Sequence, residues 1–247
     1  MIFDPKKYSM KYNHLYEILA TTVSYDPSRS AIIPNSASMG IRLMDTNRFV
    51  IKPYPNTQTF RNLKRSGLII INLIEDVYLF ALASLKERED LNQVNKFPLN
   101  YYKYIDFSKN KIIKEKLKKI LINQNFKIPY VKQAWGIFVC NVINKRTKIR
   151  KSQIGDVRLT EFELEVIYED IFSNSFKFFN RAENLALEMI ILATRLKVAD
   201  DRKNKDLKSE IYNQILAYKA KLNRFSKNKS ANKTLELIET YIQDFVD

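Results

Sequence analysis

The chain has 247 residues and a formal charge of +15, from 42 Lys and Arg against 27 Asp and Glu, and hydrophobic residues make up 45% of it. That composition supports a folded core and excludes a disordered chain. One cysteine, Cys140, and one histidine, His14, exclude a disulfide framework, a four-cysteine metal site and His-x-x-x-His zinc chemistry.

In chain order, Leu15–Ser24 reads as a strand. Tyr25–Asn35 reads as a loop, with Pro27 and Pro34 blocking regular pairing. Ser36–Met44 and Arg48–Tyr54 are the next two strands, joined by a tight turn at Asp45-Thr46-Asn47. Thr57–Arg65 is a short helix that Gly67 ends. Leu68–Leu73 is almost wholly apolar and reads as a central strand, with a helix after it at Asp76–Lys86. Glu87–Lys132 is lysine-rich and less regular, with a helix at Lys111–Ile122, and reads as an excursion over one face of the core. The run QAWGIFVCNVINKRTKIR is a long strand with Gly136 near its start, and a turn at Ser152–Asp156 leads into VRLTEFELEVIYED. Imperfect alternation in that second segment predicts a bulge, and the two segments form a hairpin.

After Asn174 the apolar period changes to 3 and 4, at Ala182, Leu185, Ala186, Met189, Ile190, Ala193 and Leu196. Asn180 and Glu183 fit an N-cap and its capping-box partner. Helices at Lys205–Phe225 and Asn232–Phe245 follow, separated by a polar break. The organisation expected is a β-rich domain at 12–172, with the excursion at about 87–132, and a helical region at 173–247.

Charge alone favours anionic partners of every kind and selects none. No signal core and no long uncharged apolar window occur, so a soluble, cytoplasmic protein without a membrane span is expected. The more specific pattern lies between residues 36 and 72. Asn35, Ser36 and Ser38 flank Ala37 and Met39, and Gly40 follows, where backbone could approach a ligand or simply form a bulge. Lys52 precedes Thr57, Thr59, Arg61 and Asn62 at a helix start, a pattern open to phosphate binding or to plain N-capping. Asn72 lies in a strand that should be buried and needs partners, from a ligand or a neighbouring loop. Trp135 is open to a stacking or a core role. Asn180 and Arg181, at the start of the long helix, are open to roles as cap and surface charge.

In order, the segments TTVS, NSASMGIRL, FVIKPYPNTQTFRNLKRSGLIIINL, DVYLFALA, AWGIFVCNV and FNRAENLALEMIILATRL resemble a family of uncharacterised archaeal proteins. That family has the flavin-reductase-like split β-barrel fold and holds FMN. The resemblance spans roughly residues 15–200. It implies a mainly β fold, a split barrel with appended helices packed on it, and a homodimer with FMN near the interface. It implies that Ser36, Ala37, Ser38, Met39 and Gly40 lie along the flavin ring edge. Lys52, Thr57, Thr59 and Asn62 would form the phosphate side, and Asn72 would match an asparagine closing the next strand. Trp135, Asn180 and Arg181 fall in matching motifs that could come near the flavin, from either subunit. Where the family often has Ala-Pro-Met-Gly, this chain has Ala37-Ser38-Met39-Gly40, which restores one backbone N–H.

The expected function is an FMN-dependent oxidoreductase, passing electrons from a reduced nicotinamide or deazaflavin to an unknown acceptor. No general acid or base stands out. Two alternatives are a non-catalytic FMN-binding or storage protein and a basic nucleic-acid-binding protein. The latter rests on the charge and on Lys145, Arg146, Lys148, Arg150 and Lys151. Nucleic acid is the less expected partner, because the aromatic residues form no base-stacking stripe.

Overall fold

Alternating burial builds the first of two units, Met1–Ile74 with Phe97–Ser175. In this computed structural model the described residues are 3–26, 28, 31–85, 97–118, 126–150, 157–175, 180–224 and 228–246. Among the described residues the unit holds eight strands: β1 (Leu15–Asp26), β2 (Ala31–Leu43), β3 (Arg48–Ile51), β4 (Leu68–Leu73), β5 (Tyr102–Asp106), β6 (Lys127–Val131), β7 (Gly136–Arg150) and β8 (Val157–Ile171). Six of them close into an antiparallel barrel in the order β1-β2-β3-β8-β7-β4. The other two, β5 and β6, pair as a separate sheet. This is a split β-barrel, to which helices are appended in sequence.

The apolar run of β4 follows from burial on both faces. Ile69, Ile71 and Leu73 join the barrel core with Ile18, Ile41, Phe49, Phe138, Cys140 and Phe162. Leu68 and Ile70 face the other way, against Phe107, Ile113, Leu117, Phe126 and Ile128. Those last five come from the region of β5, β6 and the helix Lys111–Lys118. Burial also pushes the Cys140 thiol far above its usual pKa. The chain start contributes too: Phe3 meets Phe49 and Phe138 edge-on at 5.7 and 4.9 Å.

Helix α1 (Gln58–Ser66) joins β3 to β4. Its Thr57 cap accepts from Phe60 N–H at 3.2 Å and donates to the Tyr54 carbonyl at 2.8 Å. Gly67 ends it with φ +64°, a left-handed conformation that glycine adopts without a Cβ clash.

The second unit, Glu75–Lys96 with Phe176–Asp247, is helical. It comprises α2 (Val77–Ser84), α4 (Arg181–Asp201), α5 (Lys205–Asn223) and α6 (Lys229–Val246), α3 being Lys111–Lys118 of the first unit. Here α2 packs against α4 and α6, and α4 against α5. Asp76 caps α2 by accepting from Tyr78 N–H at 3.0 Å, and the Ser230 hydroxyl of α6 donates to the same carboxylate. No described helix is long and apolar enough to cross a membrane.

Two expectations are corrected. Much of the loop at Tyr25–Asn35 is strand: β1 runs to Asp26, β2 starts at Ala31, and Pro34 pairs with Val23. Strand β3 reaches only Ile41–Leu43 of β2, so at Pro34 the far edge is open among the described residues, and a missing donor is tolerated there. The stretch 87–132 holds a strand pair, β5 and β6, as well as α3. The expected irregularity in the hairpin is present as two register shifts, with Ile167 extra on β8 and Ile143 extra on β7. Pro27, the turn at 152–156, the segment 86–96, helix residues 119–122 and the start of the polar break, 225–227, lie outside the described residues.

Candidate functional site

Strand alternation sorts the segment Ser36–Gly40 onto two faces. Met39 packs on the barrel core, which puts Ala37 with it on the inner side and Ser36, Ser38 and Gly40 outside. The Ser36 hydroxyl pairs with that of Thr21 at 2.7 Å and accepts from Tyr102 at 2.8 Å. Desolvation pushes the Tyr102 phenol upward, so it stays a neutral donor at ordinary pH. Asn72 also faces outward from its strand. Its amide donates to the Leu19 carbonyl at 2.8 Å and to Thr21 Oγ1 at 2.9 Å, and its oxygen accepts from Val131 N–H at 2.8 Å. One buried chain of bonds, Tyr102–Ser36–Thr21–Asn72–Val131, therefore stitches the β5–β6 sheet to the barrel. Farther along, a Cβ on Gly40 would lie 2.9 Å from Leu15 Cδ1, so the exposed Leu15 side chain occupies the space that glycine leaves.

The second group surrounds the start of α1. Ile51 pairs with Ile41, so Lys52 leaves the sheet beside Gly40. Its ammonium lies 2.7 Å from Glu161, which Lys148 also approaches at 3.3 Å. The hydrogen bond from Lys52, more than any other attraction, holds the Glu161 carboxyl below the usual carboxylate range. Thr59 Oγ1 accepts from Asn35 Nδ2 at 3.0 Å. Asn62 Nδ2 donates to Thr22 Oγ1 at 3.1 Å, and its oxygen accepts from Gln58 at 2.7 Å. Both Thr59 and Asn62 are 2% exposed, so their side chains fasten α1 to the barrel. Arg61 closes the loop by donating to the Asn56 carbonyl at 2.6 Å and to Gln58 Oε1 at 2.9 Å. What reaches solvent here is the half-exposed Lys52 ammonium, while the backbone N–H groups of Gln58 and the buried Thr59 donate to no described group.

The remaining candidates lie elsewhere. Trp135 N–H donates to the Leu73 carbonyl at 3.0 Å, and its carbonyl accepts from Phe172 at 2.8 Å. Its indole packs on the barrel core, 6.2 Å from the Tyr8 ring. Tyr8 in turn donates to Glu169 at 2.8 Å. Asn180 and Arg181 belong to the helical unit, where Asn180 caps α4 by accepting from Ala182 and Glu183 N–H at 3.0 and 3.4 Å. His14 is exposed and contacts the Tyr12 carbonyl at 3.0 Å.

Sequence reasoning passed over Thr21, Thr22, Tyr102 and Glu161 as site residues. The two adjacent threonines in the buried middle of β1 were the available signal, since a polar pair in a buried strand must find partners on both faces.

The family described as "Protein of unknown function (DUF447) N-terminal domain" matches residues 16–172. An uncharacterised protein of Methanocaldococcus jannaschii is 24% identical over 184 residues, covering 74% of this chain and 79% of that protein. The crystal structure of an FMN-bound protein from Methanosarcina mazei, of the same family, superposes with a TM-score of 0.66 at 18% identity. That match covers 96% of this chain and all of the other (100%).

Proposed function

The chain belongs to the DUF447 family, and from that membership we propose that it is a flavoprotein that binds FMN on the first unit. The observation that carries the reading is the start of α1. A half-exposed ammonium, Lys52, and two backbone N–H groups with no described acceptor, of Gln58 and Thr59, flank the strand segment Ser36–Gly40. The donor set suits a phosphomonoester: one cation and helix-start amides, with Thr57 fixing the helix entry. The β2 segment suits the ring end at Ser38, whose small side chain points outward while Met39 anchors the strand inward; at Gly40 the Leu15 side chain covers that face and would have to turn aside. The FMN bound by the relative from Methanosarcina mazei supports the same assignment.

In this reading Thr59 and Asn62 position α1 through Asn35 and Thr22, and act on the phosphate through the helix start they hold. Ser36 and Asn72 set the β2 face in the same indirect way. Trp135, Asn180 and Arg181 have structural partners of their own and are assigned no contact.

Bound flavin would supply hydride acceptance and electron transfer, so the protein's part is binding, orientation and tuning. An oxidoreductase drawing on a reduced nicotinamide or deazaflavin is the activity proposed, in a two-fold dimer with FMN near the interface. Steady-state oxidation of NADH, NADPH or a reduced deazaflavin by the FMN-loaded protein tests it. Tight flavin without turnover by any donor would make this a storage protein instead.

The binding site itself is tested with Lys52→Ala. The variant should weaken FMN by roughly tenfold, about 1.4 kcal/mol, and leave riboflavin nearly unchanged in fluorescence titrations. Equal losses for both ligands would place Lys52 away from the phosphate.

A further inference from the structure

The β7–β8 hairpin runs past the barrel. Strand β4 pairs with β7 only at Leu68–Leu73 to Gly136–Asn141, and β3 pairs with β8 only at Phe162–Glu165. Beyond those points the two strands pair with each other as an arm. Lys145 lies opposite Phe162 and Thr147 opposite Thr160, so these four share one face of the arm. Phe60 and Lys64, one turn apart on α1, face them across a cavity of about 430 Å³.

The lining is chemically one-sided. Phe60 and Phe162 form its apolar floor, in edge contact at 5.7 Å. The hydroxyls of Thr147 and Thr160 lie 3.1 Å apart and have no other partner among the described residues. Two hydroxyls sharing one bond use one proton and leave the second to donate. Neither Lys64 nor Lys145 has a carboxylate partner among the described residues, and no acid lines the cavity. Two uncompensated ammonium groups, a spare hydroxyl donor and an aromatic floor match a dianion joined to a flat ring. The volume falls in the range of small-ligand sites.

We propose that this cavity is a second binding site, for an aromatic phosphate monoester of mononucleotide size. Pro55 and Asn56, just before the α1 cap, also border the cavity, but its main lining lies on another face of α1 from the proposed FMN site: α1 turns Thr59 and Asn62 toward β1 and β2, and Phe60 and Lys64 toward the arm. The proposal does not depend on FMN.

The test uses the full chain saturated with FMN, and adenosine 5′-monophosphate with neutral adenosine as probes in calorimetry. One equivalent of the monophosphate should bind, at least tenfold tighter than adenosine. The double variant Lys64→Glu with Lys145→Glu should lose at least tenfold while its FMN affinity is unchanged. Thr147→Val, at an exposed position that leaves the fold intact, should lose two- to fivefold. Absence of binding, equal affinity for the two probes, or indifference to these substitutions overturns the proposal. So does mole-for-mole displacement of the monophosphate by FMN, which would make the cavity part of the flavin site. If FMN does not bind at all, the same titration on the flavin-free chain still reads this cavity, so the two failures are distinguishable.

Discussion

Glu161 holds Lys52 at 2.7 Å, and a phosphate at the start of α1 would compete for the same ammonium. Glu161→Gln removes that competitor and should tighten FMN two- to fivefold, opposite in sign to Lys52→Ala. The pair itself adds little to stability. The Lys52 side chain is 46% exposed, and solvent-screened pairs of this kind contribute about 0.5 kcal/mol. Because the folded carboxyl is held below its unfolded value, that contribution is complete above the ordinary glutamate range. It is lost as pH falls through the lower folded value. Urea titrations of the two proteins should differ slightly at pH 7 and converge as pH falls below the lowered folded value.

At the scale of elements, among the described residues the β5–β6 sheet is hydrogen-bonded to β4 through one side-chain amide, Asn72. Asn72→Leu keeps the volume but strands Val131 N–H and takes a donor from Thr21. A loss of about 3 kcal/mol is expected, seen as a lower urea midpoint. The same residue shows where local reading stops. A buried polar residue in LIIINL was visible in the sequence, but its partner at Val131 is 59 residues away. Elements whose signals are local were legible: α1, with its threonine cap and terminal glycine, and β4, with its unbroken apolar run. Pro34 was misread because its tolerance depends on how far β3 extends, which no local signal encodes. Strands β5 and β6 were missed for a like reason, being five residues each and separated by α3. At the candidate site, the residue types around α1 were legible, but not their orientation. Thr59 and Asn62 turn inward because Asn35 and Thr22 wait for them in the barrel.

For the whole molecule, the charge of +15 acts on every anion in reach. Double-stranded DNA should bind the protein at low ionic strength, with affinity falling steeply and without sequence preference as salt rises to about 0.2 M. Mobility-shift assays across that range check this; retained, sequence-dependent binding at the upper end would restore nucleic acid as a partner. The exposed row Lys145 to Lys148 on the arm carries part of that charge. Specific ligands should therefore be ranked against neutral analogues at physiological salt, where bulk attraction is screened and site chemistry remains.

The sole thiol of the chain, Cys140, sits at 0% exposure inside the barrel, between β4 and β8. Sealed and protonated, it is inert to alkylating reagents until those strands part. Its labelling rate under native conditions thus gives a built-in clock for opening of the barrel alone, blind to fraying of the helical unit. A flavin that grips the barrel should slow that clock in proportion to its occupancy.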